Sequence, residues 1–341
     1  MSNSPLSADG RMPALDGLRG FAALCVLVGH GFSIFTEQKV HEGVGQMAVA
    51  LFFMLSAFLL THIYTAQELS RATAWRYSVN RVARVLPLYW LLVPVHLIVF
   101  SADAPTFEVL KTGAVCVAAI KCPWAMWTIP VELQFYALFL CIWSGARRSR
   151  PILRLCAIGT GMLLAWWLLR DHEPARMLPM WAHFFLFGSA VAIVQMRAPT
   201  TAPTKHPYLD VALLAFFFLA VPGVRNALDL PGLAANADPL AIAATTLLFM
   251  AAVRGGALTG LFSARPARLF GNISYGVYLI HLPAMFLVQR HIAGGFGGLV
   301  IGVGVTIVIA ALSFWLFETP VRRWISATGN RAQRRLPNIF T

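Results

Sequence analysis

The sequence predicts an all-α integral membrane protein of about ten transmembrane helices, with both termini in the cytoplasm. Three observations carry that expectation. Of 341 residues, 58% are hydrophobic and 12% charged, and mean hydropathy is +0.68; soluble domains carry about 25% charged residues. Apolar runs recur from residue 18 to residue 318, without an internal repeat, coiled coil or soluble segment between them. Lysine and arginine, finally, fall unevenly between alternate connections.

In chain order the runs lie near 18–36, 44–64, 83–101, 124–143, 152–169, 178–196, 208–222, 238–253, 269–290 and 296–318. They are read against the ~20 residues needed to cross ~30 Å of hydrocarbon. The first has no small-residue cleavage site after a short apolar stretch and reads as a retained helix. The run at 208–222 is the shortest. Charges or Pro/Gly turns such as "TAPTKHP" and "PGLAANADP" separate them. One transmembrane domain over 1–341, with a core of about 14–324, follows.

With the N-terminus inside, the inner segments hold 20 of the 27 Lys and Arg, including Arg11, Arg147, Arg148, Lys205 and the five from Arg322 onward. The outer segments hold seven: Lys39, Lys111, Lys121, Arg170, Arg176, Arg225 and Arg290. That asymmetry supports ten spans and cytoplasmic termini. It also accounts for the formal charge of +13 without a nucleic-acid partner. Cys25, Cys141 and Cys156 fall in spans as small apolar groups. Cys116 and Cys122 share an outer loop, where they are either free or paired in an oxidising compartment. No Cys/His spacing suits a metal, and no glycine motif suits a nucleotide.

An ionisable group inside a span is a functional candidate by default, because its desolvation must be repaid. In "LDGLRGFAALCVLVGHGF", Arg19 and His30 are eleven residues apart, about 16 Å along a helix and within ~20° of one face. The first helix thus carries an arginine at its inner mouth and a histidine in its body. A histidine packed against backbone is the bland alternative. Asp16 is either an N-cap or an arginine's partner. In "RYSVNRVARVLPLYW", Arg81 and Arg84 share a helix face at the same inner rim. Rim arginines set topology in any case, yet three guanidiniums at one depth would also clamp a diphosphate.

Glu132, in "WAMWTIPVELQFYALF", lies about 12 Å into its span, a depth that roughly coincides with His30 at ~18 Å from the opposite face. The pair therefore suggests a carboxylate that orients an imidazole; a Glu satisfied locally by Trp127, Thr128 or a loop lysine is the alternative. Ser274, Tyr275, Tyr278 and His281 form a polar stripe in the ninth run that either lines the same cavity or packs. His96 and His183 stand alone and read as structural, while His62 and His172 carry no usable signal.

These residues resemble the acyltransferase 3 family. "LDGLRGFAALCVLVGH", "RVAR" with "VLPLYW", "FFMLSAFLL", "WTIPVELQFY", "ISYGVYLIHLP" and "FETPVRRW" occur in that family's order and spacing, over residues 14–324. The departures are Ala57, where glycine is common, and Pro130, where serine precedes the glutamate. The resemblance implies a ten-helix, multi-pass O-acyltransferase of a bacterial inner membrane. Its co-substrate would be acyl-CoA, by default acetyl-CoA, with no metal, and its acceptor a hydroxyl of a carbohydrate or lipid-linked glycan. It makes His30 essential to transfer, with Arg19, Arg81 and Arg84 binding or activating the donor and Glu132 an acidic position. Some relatives append an extracellular hydrolase-like domain; none is expected here, so a partner protein or a homo-oligomer stays open.

The resulting expectation is that Arg19, Arg81 and Arg84 bind the coenzyme A phosphates, His30 acts as general base, and Glu132 orients it. An acyl-histidine is the alternative chemistry. A glycan or lipid transporter using an intramembrane His/Glu pair is the rival function, although the inverted repeats expected of one are not seen.

Overall fold

The computed structural model describes residues 12–36, 38–39, 41–101, 103–146, 150–169, 177–197 and 206–335. Arg11, Arg147, Arg148, Arg170, Arg176, Lys205 and His172 lie outside these. Among the described residues there is no strand. The helices are α1 (Pro13–Thr36), α2 (Val44–Tyr64), α3 (Arg71–Phe100), α4 (Thr106–Val117), a 3-10 turn (Trp124–Trp127) leading into α5 (Thr128–Ala146), α6 (Pro151–Leu169) and α7 (Leu178–Arg197). They continue with α8 (Pro207–Leu219), α9 (Pro222–Ala227), α10 (Pro239–Arg254), α11 (Ala257–Ser263), α12 (Arg265–His291), α13 (Gly295–Ser313), a π-helical turn (Phe314–Glu318) and α14 (Thr319–Arg335).

Each of the ten apolar runs forms a helix. Eight are long and apolar enough to cross a membrane, and α10 with α11 makes a ninth candidate, bent by 79°. The tenth, α8, has 13 residues and falls short of the ~20 a straight span needs. α6 exposes Leu163, Leu164, Trp167 and Leu168, an arrangement that suits a helix whose outer face meets lipid.

The helices that position the site are α1, α2 and α12. Where α1 crosses α12, a Cβ on Gly271 would lie 1.9 Å from the Asp16 carbonyl oxygen, and one on Gly20 2.8 Å from that of Ala267. Small residues on both helices let the backbones touch, the usual way helices pack without a hydrophobic driving force. That close approach sets Arg19 of α1 beside Gly271 and Ser274 of α12. α2 is held on its other side by α7, where Gly188 meets the Met54 carbonyl and Phe53 stacks on Phe185 at 4.4 Å. α3 begins with a reciprocal capping box, Ser70 with Thr73. A disulfide ties Cys116, in the last turn of α4, to Cys122 beyond it, and the Cys116 carbonyl accepts from the Tyr89 hydroxyl at 2.7 Å.

Candidate active site

The arginines converge. Arg19 from α1 and Arg81 and Arg84 from α3 line one cavity, together with Ser56, Glu132 and Tyr136. The cavity has room for water-sized molecules over about 170 Å³. Arg19 donates to the Gly271 carbonyl at 3.4 Å and to Ser274 Oγ at 3.3 Å, and pairs with Asp16 at 3.7 Å. Asp16 is thus an arginine's partner. The Arg81 guanidinium lies 5.9 Å from the Tyr136 ring centroid, within reach of a cation–π contact, and its Nε is buried without a hydrogen bond. A smaller cavity beside the first shares Arg19, Arg84 and Tyr275 and adds Asn272, Glu318 and Arg322. Glu318 sits on the π-helical turn, a backbone irregularity that recurs at functional sites.

Glu132 belongs to this arginine-lined end. Its carboxylate accepts from Ser56 Oγ at 3.0 Å and from the Tyr136 hydroxyl at 2.5 Å, and it does not meet His30. The expected Glu132–His30 pair is therefore corrected. His30 packs against Gly45, whose added Cβ would lie 3.4 Å from His30 Cε1. Gly45 and Ser56 are eleven residues apart on α2, so about 16 Å along its axis separates the two levels. The reason lies at the start of α5. The Ala125 carbonyl accepts from Tyr278 at 2.8 Å, three residues from His281, so this chain segment enters the bundle level with the histidines. Seven residues further on, Glu132 has passed them. The run's apolar start had suggested a shallower position.

His30 has another partner. His281 Nε2 lies 3.2 Å from His30 Nδ1, with ring centroids 5.0 Å apart. His30 Nδ1 also lies 3.1 Å from the Val26 carbonyl, and His281 Nδ1 lies 2.6 Å from that of Tyr278. His281 is fully buried and His30 partly accessible. Its place three residues after Tyr278 on a polar stripe was a sequence signal; that it meets His30 was not.

One face of α2 links the two ends. Gly45 touches His30, and Val49, Phe52, Ser56, Leu59 and Ile63 follow at alternating four- and three-residue steps, all lining the cavity. At the histidine end, Phe52 and Tyr278 meet edge to face with centroids 6.0 Å apart. His96 bonds its own helix at the Leu92 carbonyl and packs among Phe100 and Trp124. His183 packs on Phe184. Among the described residues, no group of three or more His, Cys, Asp and Glu side chains could hold a metal ion.

The chain is similar to known proteins over most of its length. The family described as the acyltransferase domain matches residues 12–318. The peptidoglycan O-acetyltransferase OatA of Listeria monocytogenes is 26% identical over 92% of this chain and 56% of its own. The putative peptidoglycan O-acetyltransferase YrhL of Bacillus subtilis is 26% identical over 91% and 55%. The acyltransferase MdmB of Streptomyces mycarofaciens is 28% identical over 84% and 82%. The chain thus spans a little over half the length of the first two. No solved structure matches it.

Proposed function

The chain belongs to the acyltransferase family, and on that premise we propose that it moves an acetyl group from cytoplasmic acetyl-CoA to a hydroxyl of peptidoglycan or another carbohydrate across a bacterial inner membrane. The observation that carries this reading is the α1 face with Arg19 at one end and His30 at the other, joined by the α2 face that runs between the same two levels. With cytoplasmic termini, as the Lys/Arg asymmetry supports, the arginines face the donor's compartment. The names of two relatives support peptidoglycan as acceptor. Family membership speaks against the transporter.

In this mechanism Arg19, Arg81 and Arg84 grip the donor's phosphates through charge-assisted bonds. Glu132, held by Ser56 and Tyr136, spaces the guanidiniums that would otherwise repel one another. The pantetheine arm follows α2 past Phe52 and brings the thioester to His30. There His30 Nε2 takes the acceptor's hydroxyl proton as that oxygen attacks the thioester carbon. The new C–O bond forms, the C–S bond breaks, and His30 returns the proton to sulfur, leaving the acetyl ester and the free thiol of coenzyme A. Reactant capture and base then occupy opposite ends of one track.

The test uses inverted membrane vesicles containing the full chain, loaded with peptidoglycan fragments in the lumen and supplied outside with radiolabelled acetyl-CoA. Alkali-labile label should appear in the fragments, and His30→Ala should abolish it with the protein still folded in the membrane. Equal thiol release from wild-type and His30→Ala vesicles would refute the reading. Thiol release without labelled fragments would replace the acceptor alone.

A further inference from the structure

His281 is a buried, titratable group that the transfer just described does not use. Its hydrogen bonds admit one assignment of protons. A carbonyl oxygen only accepts, so His281 Nδ1, 2.6 Å from the Tyr278 carbonyl, carries its hydrogen. In the neutral ring, Nε2 is then the lone pair. It faces His30 Nδ1 at 3.2 Å. His30 Nδ1 also faces the Val26 carbonyl at 3.1 Å, so it too carries a hydrogen, shared between both acceptors. The remaining nitrogen, His30 Nε2, is left with its lone pair free.

Resting on the acyl-transfer reading above, we propose that His281 is the positioning residue of the reaction: its Nε2 holds His30 in the tautomer whose Nε2 is the base, and receives the Nδ1–H of the imidazolium that forms. The role matches that of the third member of nucleophile–base–orienter sites, where the orienting group fixes ring and tautomer without itself taking the proton. Here a neutral imidazole performs it, a chemistry suited to a span in which a second carboxylate would be costly to bury. When the acceptor proton arrives at His30 Nε2, no further proton needs to move; the positive charge is shared across a bond already made. His281 is fully buried whereas His30 is partly accessible, so of the two rings it is His30 that can meet donor and acceptor. The neighbours of His281 are His30 from α1, Tyr278 from its own helix and, more remotely, His96 of α3.

Three substitutions separate this role from simple packing. In His281→Gln the side-chain oxygen can reach the place of Nε2 and accept from His30. In His281→Asn the amide can reach only the place of Nδ1, so the Tyr278 carbonyl keeps its donor while His30 loses its acceptor. His281→Leu supplies neither. Thiol release from acetyl-CoA, with peptidoglycan fragments as acceptor, would be measured on full-length protein of equal membrane level and unchanged size-exclusion profile. We expect the Asn and Leu variants to lose kcat by about a hundredfold or more, the low end of the range attributed to acid–base groups, with the KM for acetyl-CoA unchanged. The Gln variant should recover to within about threefold of wild type.

A packing role predicts the opposite order, since Asn preserves the buried carbonyl's bond. Asn equal to or better than Gln, or a loss confined to the donor KM, overturns the proposal. So does failure of all three variants to fold where His30→Ala folds. If wild-type protein itself releases no more thiol than His30→Ala, it is the acyl-transfer reading that has failed.

Discussion

The segment above His30 is braced by one buried ion pair, and breaking it should be costly. Arg225, in α9, and Asp238, the N-cap of α10, are 6% and 1% exposed. The Arg225 guanidinium donates to both Asp238 oxygens, and the backbone amides of Leu233, Leu240 and Ala241 donate to the same carboxylate. The surrounding loop grips the turn between α1 and α2: Gly223 N–H donates to the Glu42 carbonyl at 2.9 Å and Ala235 N–H to Gln46 Oε1 at 3.1 Å. Gly43, with φ 92°, meets Pro222 there, where a Cβ would lie 2.7 Å from the ring. This turn leads directly into Gly45, in the first turn of α2, against which His30 packs.

Asp238→Asn keeps an oxygen for the amides but leaves the Arg225 charge buried without a counter-charge. Breaking such a pair costs about 3–5 kcal/mol, whereas removing both charges costs less. The double variant Arg225→Met/Asp238→Asn should therefore be more stable than the sum of the single losses by roughly 0.5–3 kcal/mol. At a few degrees per kcal/mol, Asp238→Asn should lower the melting temperature by on the order of 10 °C, read by the loss of monodisperse protein on heating in detergent. The gap should also depend on pH. Burial pushes the Asp238 carboxyl up, but the Leu233 and Ala241 amides and then Arg225 outweigh it and hold it below its ordinary value. Its contribution is thus fully present above the ordinary carboxylate range, near pH 4, and is lost as pH falls through the lower folded value. The wild-type and Asn melting points should converge below about pH 4. Strict additivity of the two single losses, or a gap that widens in acid, would refute the reasoning.

Three further outcomes follow from the site and its frame. Arg81→Ala should raise the KM for acetyl-CoA at least tenfold with a smaller change in kcat; an unchanged KM would remove the arginine from donor binding. Gly271→Ala should lose several kcal/mol, because a Cβ 1.9 Å from the Asp16 carbonyl must push α1 off α12; fluorescence-detected size exclusion should show little folded protein. Cys116→Ser removes a six-residue ring closure, worth about 2 kcal/mol by chain entropy, and the loss should vanish when both proteins are melted in reductant.

Much of this was legible before any fold was known. The ten apolar runs all became helices, because a segment surrounded by hydrocarbon has no other way to pair its backbone. Arg19 and His30 kept the common face that their eleven-residue spacing demanded, since helical phase depends on sequence separation alone. Asp16 found the arginine three residues away for the same reason. Arg81 and Arg84 reached the same cavity as Arg19, as three rim guanidiniums at one depth suggested.

Relations between helices were another matter. By itself the sequence determined the membrane class, the helical order, and which ionisable groups share a face within one helix, because each follows from composition or from a local period. Only the tertiary structure decided that Glu132 lines the cavity with the arginines and that His281 meets His30. Depth within a bundle depends on where a segment enters it and how far neighbouring helices slide. Here that offset was set by the 3-10 turn docking at Tyr278 and by glycines that let α1 and α12 touch. A shift of two or three turns along a helix leaves the hydropathy pattern as it was and changes which carboxylate or imidazole a histidine meets.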